Sequence, residues 1–334
     1  MKKKIGYLGA GAWGYCLANL LAGNGHEVTL WAQDPNLIKF IKEKHEHPKF
    51  LGFKLEPSIK LTTELKDAII GKDFIIESVT SKGIRPILAK IKEIKEPDVP
   101  FILTSKGIEQ NSLLLLPEVV LDVLGQASQH LVGCLSGPSL ADEVFHKMPT
   151  SVVSAAYDLQ LAQEIKNLFS NQFFRVYPNS DLAGVAFGGA MKNIIAIASG
   201  IADGLGLGQN TKAALITRGL HEMRKLSVVK NAKAETLNGL SGLGDLCVTS
   251  LSSLSRNYKF GRFIAEGVPI EVAKEKIGMV IEGEYTCVSA RQMGMEADIS
   301  LPITDGIYSI IYEGLNPLDA VKNLFKREIK EETL

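Results

Sequence analysis

The stretch that most restricts the fold of this chain is KIGYLGAGAWGYCLANLLAGNGHEVTLWAQDP, residues 4–35. A short apolar run leads into Gly9, Gly11 and Gly14, spaced G-x-G-x-x-G. A helical stretch, Ala12 to Ala22, follows, and then a second apolar run, EVTLWA. A strand, a glycine turn, a helix and a second strand make a βαβ unit, with Asp34 about 20 residues past the third glycine. Gly9 permits the tight turn, Gly11 lets backbone approach a pyrophosphate, and Gly14 allows close helix–strand packing. The helix N-terminus then faces a diphosphate with free N–H groups.

Further β-like runs continue the pattern to about residue 180: DFIIESV, PFILTS, HLVGCLSG, TSVVSAA and FFRVY. Helical stretches separate most of them, among them Asn36 to Glu46 and Leu113 to Leu124. Several runs are continuously apolar, as in a parallel sheet covered on both faces. The reading is an α/β fold with an N-terminal Rossmann-like, doubly wound sheet over residues 1–180. Beyond Asn179 the β-branched runs largely disappear. Helical candidates follow at Asp181–Ala202, Asn210–Val229, Tyr258–Glu266, Ile270–Ile277, Glu284–Met293, Pro302–Tyr312 and Pro317–Lys326, and glycine-rich connections include NGLSGLGDL. Residues 181–334 are read as a C-terminal all-helical domain. A chain of 334 residues is long enough for two cores.

Composition excludes some classes of partner. Lysine plus arginine and aspartate plus glutamate balance at 37 each, so neither nucleic acid nor a membrane surface is expected. The basic start and apolar N-terminal run resemble a secretory signal, but glycines and Asn19 interrupt them, and a cytoplasmic location is expected. No uninterrupted apolar run approaches the roughly 18–20 residues of a membrane span. Cys16, Cys134, Cys247 and Cys287 are far apart and form no C-x-x-C, so reduced, buried thiols are expected and no metal site.

One lysine stands out. Lys192 lies in GGAMKNIIAIASGIADG, a run otherwise dominated by small and apolar residues. Burying an ammonium costs several kcal/mol unless it is paired or discharged. Taken alone, the residue most simply snorkels along its own stem to the surface.

Eight segments change that reading: GAGAWG, SKGIE, SGPSLADE, GVAFGGAMKN, ALITRGLHEM, GLSGLGDL, SRN and VIEGEYT, in this order. Together they resemble the NAD(P)-dependent glycerol-3-phosphate dehydrogenase family, bacterial type, over essentially the whole chain. The resemblance implies a reversible reduction of dihydroxyacetone phosphate to sn-glycerol 3-phosphate, a phospholipid precursor, by a homodimer using NAD or NADP. Its general acid/base falls on Lys192, followed by Asn193. Desolvation brings a lysine toward neutrality, so that it can give and take a proton. Gly188, Gly189 and Ala190 are expected to let cofactor and substrate approach closely.

The resemblance puts the charge partner of Lys192 at Asp245, which could also cap a helix, with Thr249 one turn later. Arg256 anchors the substrate phosphate through paired donors, with Ser255 and Asn257 beside it. Lys106, at the end of a strand, adds a second positive charge for catalysis, substrate and cofactor. Gly137 and Ser139 meet substrate, and Ser139 could start a helix. Cofactor contacts fall on Ala12, Trp13, Gln33, Ala141, Arg256, Val280 and Glu282 besides the three glycines. Cofactor preference stays open. Gln33 stands where a basic residue is often found, Asp34 could sit one residue too late for a ribose, and Lys39 or Lys42 could meet a 2′-phosphate. Thr80–Ser81 replaces a frequent proline–serine.

Two other readings were weighed. Related dehydrogenases of 3-hydroxy acids and of 6-phosphogluconate place an asparagine four residues after the lysine, where this chain has Ala196. A non-catalytic NAD(P)H sensor would be free to lose Lys192, Asp245 or Arg256, and all three are present.

Overall fold

The computed structural model describes residues 2–96, 98–329 and 331–332. The chain packs as two compact units, Met1–Ser105 with Leu116–Leu182, and Lys106–Leu115 with Ala183–Leu334. The sequence pattern alone suggested a single change near residue 180. Residues 106–115 depart from it because Ile108, Leu113 and Leu115 bury their side chains in the helical core of the second unit. Asn111 and Leu113 adopt left-handed backbone, so the helix expected from Leu113 begins only at Leu116.

The first unit carries strands β1 (Lys4–Leu8), β2 (Glu27–Trp31), β3 (Glu46–His47), β4 (Phe50–Lys54), β5 (Lys60–Thr62), β6 (Phe74–Glu77), β7 (Phe101–Leu103), β8 (Val132–Ser136), β9 (Thr150–Ala156) and β10 (Phe174–Asn179). Eight of them form one sheet in the order β10-β9-β8-β7-β6-β1-β2-β5, and β3–β4 make a separate hairpin. All seven apolar runs read from the sequence are strands of the large sheet. The three-residue edge strand β5 and the hairpin were not anticipated; both are short. Every neighbouring pair in the sheet is parallel except β8–β9, which is antiparallel. Interior strands are buried nearly end to end, whereas the edge strand β10 begins with alternating buried and exposed residues. Helices α1 (Ala12–Gly23), α2 (Pro35–Lys44), α3 (Ile84–Ile94), α4 (Leu116–Leu124), α5 (Ala141–Phe145) and α6 (Leu159–Phe169) complete this unit. The strand order reverses between β1 and β6, and a ligand crevice forms outside the carboxyl ends of strands at such a switch.

The second unit is helical: α7 (Leu182–Gly204), α8 (Gly208–Ser227), α9 (Asp245–Leu251), α10 (Arg256–Ala265), α11 (Ile270–Ile277), α12 (Glu282–Glu296), α13 (Pro302–Tyr312) and α14 (Pro317–Phe325). Helix α7 is long and apolar enough to cross a membrane, but 94% of its apolar window is buried within the protein. It is apolar nearly all round because neighbours cover it. Phe187, Met191, Ile194, Ile195 and Ile197 form the centre of that core. Helix α9 lies where the sequence was read as a glycine-rich connection with a possible helix start at Asp245. It follows a wide π turn, Leu240–Gly244, where a Cβ on Gly242 would stand 2.0 Å from the Leu237 carbonyl oxygen.

A buried carboxylate sets one helix start. Glu222, on α8, accepts from the backbone N–H of Ile303 (2.6 Å) and Thr304 (3.2 Å) and from the Thr304 hydroxyl (3.0 Å). These donors belong to the first turn of α13, so Glu222 caps it from a distant element. Burial pushes its carboxyl up to about 7 from 4.5. The folded state therefore holds this proton more tightly than the unfolded chain. Its contribution to stability is fully present below pH 4.5 and is lost as pH rises through about 7. Glu222→Gln is expected to flatten the decline in melting temperature between about pH 5 and pH 7.5, a contribution on the order of 3 kcal/mol. Thermal melts of both proteins across that range check it; parallel curves would show that Glu222 does not titrate there.

Candidate active site

In the first unit, the glycine turn has the geometry its spacing implies. Gly9 has φ +102°, a backbone region that L side chains rarely adopt, and a Cβ there would lie 2.7 Å from the Ser78 carbonyl oxygen. A Cβ on Gly14 would stand 1.9 Å from the Gly9 carbonyl oxygen, so only glycine lets α1 start this close to β1. Gly11 is the N-cap of α1, and no side chain caps that end. Ala12 and Trp13 are the first helical residues, with Trp13 packed against the core. A bare helix N-terminus over a turn that excludes side chains fits a pyrophosphate.

The loop after β2 is different from one reading above. Asp34 is the N-cap of α2 and accepts the Asn36 N–H at 2.9 Å, so its carboxylate is engaged in the helix start. Gln33 is exposed beside it. Lys39 pairs with Glu43 at 3.9 Å on the same helix. Beyond β8, the Ser139 hydroxyl donates to the Gly137 carbonyl at 2.9 Å. Ser139 does not begin a helix: α5 starts at Ala141 with Leu140 as N-cap.

Glu77, the last residue of β6, was not singled out from the sequence. Fully buried, it accepts from the N–H groups of Val79 (2.9 Å), Thr104 (3.1 Å) and Ser105 (3.2 Å) and from the Ser105 hydroxyl (2.9 Å). Burial raises it to about 7 against the pull of those donors. It ties the carboxyl ends of β6 and β7 together. An acid inside an apolar run was the available signal.

In the second unit, one carboxylate gathers two lysines. Asp245, 1% exposed, accepts from Lys192 Nζ through Oδ1 and from Lys106 Nζ through Oδ2, the latter at 2.6 Å. Lys192 Nζ also donates to the Thr249 hydroxyl at 2.8 Å, and that hydroxyl donates to the Asp245 backbone carbonyl at 2.6 Å. Lys192 is buried and does not snorkel. Its ammonium is pulled down from 10.5 to about 7, first by burial and then by Lys106, with Asp245 opposing. Asp245 lies in continuous helical backbone after the π turn, with Gly244 as N-cap, so its side chain is not a cap. The glycines before Lys192 have a packing role. A Cβ on Gly188 would lie 2.7 Å from the Ser241 carbonyl oxygen, and Ala190 is fully buried in the core. Small residues here bring α7 against the π turn, which sets Asp245 opposite Lys192.

Around this cluster stand the other polar residues singled out in the second unit. Asn257 Nδ2 donates to Asn193 Oδ1 at 3.0 Å, and Asn257 Oδ1 accepts the Gly283 N–H at 3.0 Å. Ser255 is the N-cap of α10, its hydroxyl accepting from Tyr258 N–H at 3.3 Å. Both side chains help to hold α10 in place. Arg256, at the first position of α10, donates to the Val280 carbonyl at 3.0 Å and feels Glu282 nearby, at the start of α12. Lys106, Lys192, Asn193, Asp245, Thr249, Ser255, Arg256, Asn257, Val280 and Glu282 all belong to the second unit; Gly9, Gly11, Ala12, Trp13, Gly14, Gln33, Gly137, Ser139 and Ala141 belong to the first. Among the described residues no group of three His, Cys, Asp or Glu side chains is arranged to hold a metal.

Comparison with known proteins identifies the family. Residues 4–162 match the family described as NAD-dependent glycerol-3-phosphate dehydrogenase N-terminus, and residues 181–322 match its C-terminus. The chain is 53% identical over 332 residues to glycerol-3-phosphate dehydrogenase [NAD(P)+] of Protochlamydia amoebophila, covering 99% of this chain and 100% of that protein. It is 52% identical to the enzyme of the same name from Chlamydia pneumoniae, with full coverage of both. The crystal structure of glycerol-3-phosphate dehydrogenase from Coxiella burnetii superposes with a TM-score of 0.92 at 37% identity, covering 98% of this chain and 99% of that one.

The shared carboxylate predicts a specific instability. Asp245→Asn leaves Lys192 buried without the counter-charge that helps it keep its proton, and the loss of stability is expected at about 3–5 kcal/mol. Adding Lys192→Met should recover most of it. Denaturant unfolding of the two variants checks this; equal stabilities would mean that the pair is not coupled.

Proposed function

The chain belongs to the NAD-dependent glycerol-3-phosphate dehydrogenase family, and from that membership we propose that it reduces dihydroxyacetone phosphate reversibly to sn-glycerol 3-phosphate. The observation that carries the reading is the buried Lys192, bonded to Asp245 and Thr249 and brought to about 7. Bound NAD(P)H supplies the hydride, which goes to C2 of the substrate and leaves NAD(P)+. The carbonyl oxygen then becomes an alkoxide and takes a proton from the Lys192 ammonium. In the reverse direction neutral Lys192 accepts the hydroxyl proton. A group near 7 does both at little cost.

Each remaining residue has a part in this proposal. Asp245 and Thr249 hold the amine in place, and Lys106 supplies a second positive charge toward the developing oxyanion. Arg256 grips the substrate phosphate. Its position at the start of α10 adds backbone N–H donors, which supports this role. Ser255 caps that helix, and Asn257 ties it to Asn193 on the lysine helix. Gly137 and Ser139 meet substrate. Gly9, Gly11, Ala12, Trp13 and Gly14 hold the dinucleotide with Ala141, while Gln33 lies toward the adenosine ribose. Lys106, Arg256, Val280 and Glu282 complete the cofactor contacts. The engagement of Asp34 in a helix cap leaves the choice between NAD and NADP to other groups. By family resemblance the product serves phospholipid synthesis, and the chain works in the cytoplasm as a homodimer.

The decisive experiment mixes folded protein with dihydroxyacetone phosphate and follows loss of reduced-nicotinamide absorbance from NADH and NADPH. Lys192→Ala should lower kcat by about 10²–10⁴-fold. Reduction by the native protein should weaken as pH rises through about 7, because the protonated amine is consumed, while oxidation should strengthen over the same range. Binding of both cofactors by folded protein without any turnover would defeat the reading. Arg256→Leu is expected to raise KM for dihydroxyacetone phosphate by about 10²-fold and to affect turnover of unphosphorylated dihydroxyacetone much less. Equal losses on both substrates would remove the phosphate role.

A further inference from the structure

Beyond β6, two successive residues are held by two different sets of groups. Ser78 is held by β1. Its N–H donates to the Leu8 carbonyl at 2.8 Å, and its hydroxyl lies 2.7 Å from that of Tyr7. Its carbonyl backs onto Gly9, where a Cβ would stand 2.7 Å from that oxygen. Ser78 therefore stays with the glycine turn. Val79, in contrast, is held by Glu77. The Val79 N–H donates to Glu77 Oε2 at 2.9 Å. The Val79 carbonyl accepts from the Ser105 hydroxyl, which also reaches Glu77 Oε2 at 2.9 Å. The other oxygen, Oε1, takes the N–H groups of Thr104 (3.1 Å) and Ser105 (3.2 Å), just past β7. All of these residues lie within the first unit.

The place of these loops in the sheet decides what they serve. The strand order reverses between β1 and β6, and a dinucleotide lies across such a switch with its pyrophosphate at the glycine turn. The loop after β2, with Gln33 and Asp34, lies on the adenosine side. The nicotinamide half then falls on the opposite side, over the carboxyl ends of β6 and β7, where Val79 and Ser105 stand. Apolar packing would close the strand ends without setting the direction of any peptide there. A carboxylate that accepts from three N–H groups and a hydroxyl does set it, because each bond orients the planar peptide that donates it.

We propose that Glu77 is a positioning residue for the nicotinamide half of the dinucleotide: it fixes the backbone at Val79 and Ser105, on which that half rests. Glu77 is fully buried and acts through these loops rather than by touching the cofactor. The inference rests on the cofactor reading of the glycine turn given above. Ser78 is tied to β1 through its own N–H and hydroxyl, so loss of the carboxylate frees the chain from Val79 onward and leaves the glycine turn in place. The two halves of the dinucleotide should therefore respond differently.

The test uses the full chain. It measures Kd for NADH and NADPH by nicotinamide fluorescence, and for ADP, the adenosine half with its pyrophosphate, by calorimetry. Glu77→Gln keeps the size of the side chain but turns one acceptor oxygen into an NH2 donor, so one of the two loops loses its acceptor. Kd for the dinucleotide that the native protein binds more tightly is expected to rise about tenfold, while Kd for ADP stays within about twofold. Ser105→Ala removes the hydroxyl that bridges Glu77 and Val79. It should raise the same Kd about threefold, again sparing ADP. A purely structural role would lower the melting temperature and either leave both affinities alone or weaken dinucleotide and ADP together; each of those results overturns the proposal. Should Glu77→Gln not fold, Ser105→Ala decides by the same criterion. If the native protein binds neither dinucleotide, the cofactor reading fails first and this inference falls with it; native binding with unaffected variants removes Glu77 alone.

Discussion

A single carboxylate shared by two ammonium groups organises the second unit. Asp245 is nearly inaccessible, and its two oxygens go to Lys192 and Lys106. Ion pairs buried this deeply are poor sources of stability, because desolvation offsets the attraction. Their geometry is nevertheless demanding, and much of the helical unit serves it. The π turn carries Asp245 to its position, and glycine at 188 lets α7 come within reach of that turn. The Ile108, Leu113 and Leu115 side chains anchor the segment that begins with Lys106 in the same core. The result is an amine whose proton is held near the point of indifference at neutral pH.

Buried acids elsewhere have a different task. Glu222 closes the first turn of α13, and Glu77 joins the ends of β6 and β7. Each accepts several backbone donors that would otherwise be stranded, and each is pushed up to about 7 by burial. Raised carboxyls do not mark chemistry by themselves here. Lys192 differs because its neighbours include a second cation, and because its partners are side chains rather than stranded backbone groups.

The cofactor turn was legible at residue level, since its requirements are local. A left-handed φ at Gly9 and the contact of Gly14 with the Gly9 carbonyl admit no side chain, and three glycines announce this in six residues of sequence. Asp34 and Ser139 were less readable: both types commonly cap helices, and only one does so. The small residues before Lys192 were visible, but the packing of Gly188 was not. It faces a turn about 50 residues downstream, and no spacing rule reports such a contact. Glu77 carried no motif at all.

By itself the sequence determined the α/β first half with its parallel-dominated sheet, the helical second half, the dinucleotide turn and the list of residues that resemble a known family. These follow from hydrophobic period, glycine spacing and residue order, all of which are properties of neighbours along the chain. Tertiary structure alone decided that Lys106–Leu115 packs with the helices, that β9 runs antiparallel to β8, and that Lys192 turns inward to Asp245. Those outcomes depend on which distant groups are desolvated together, and the free energy of a buried charge or hydrogen bond is set by its partner in space, not by its neighbours in sequence.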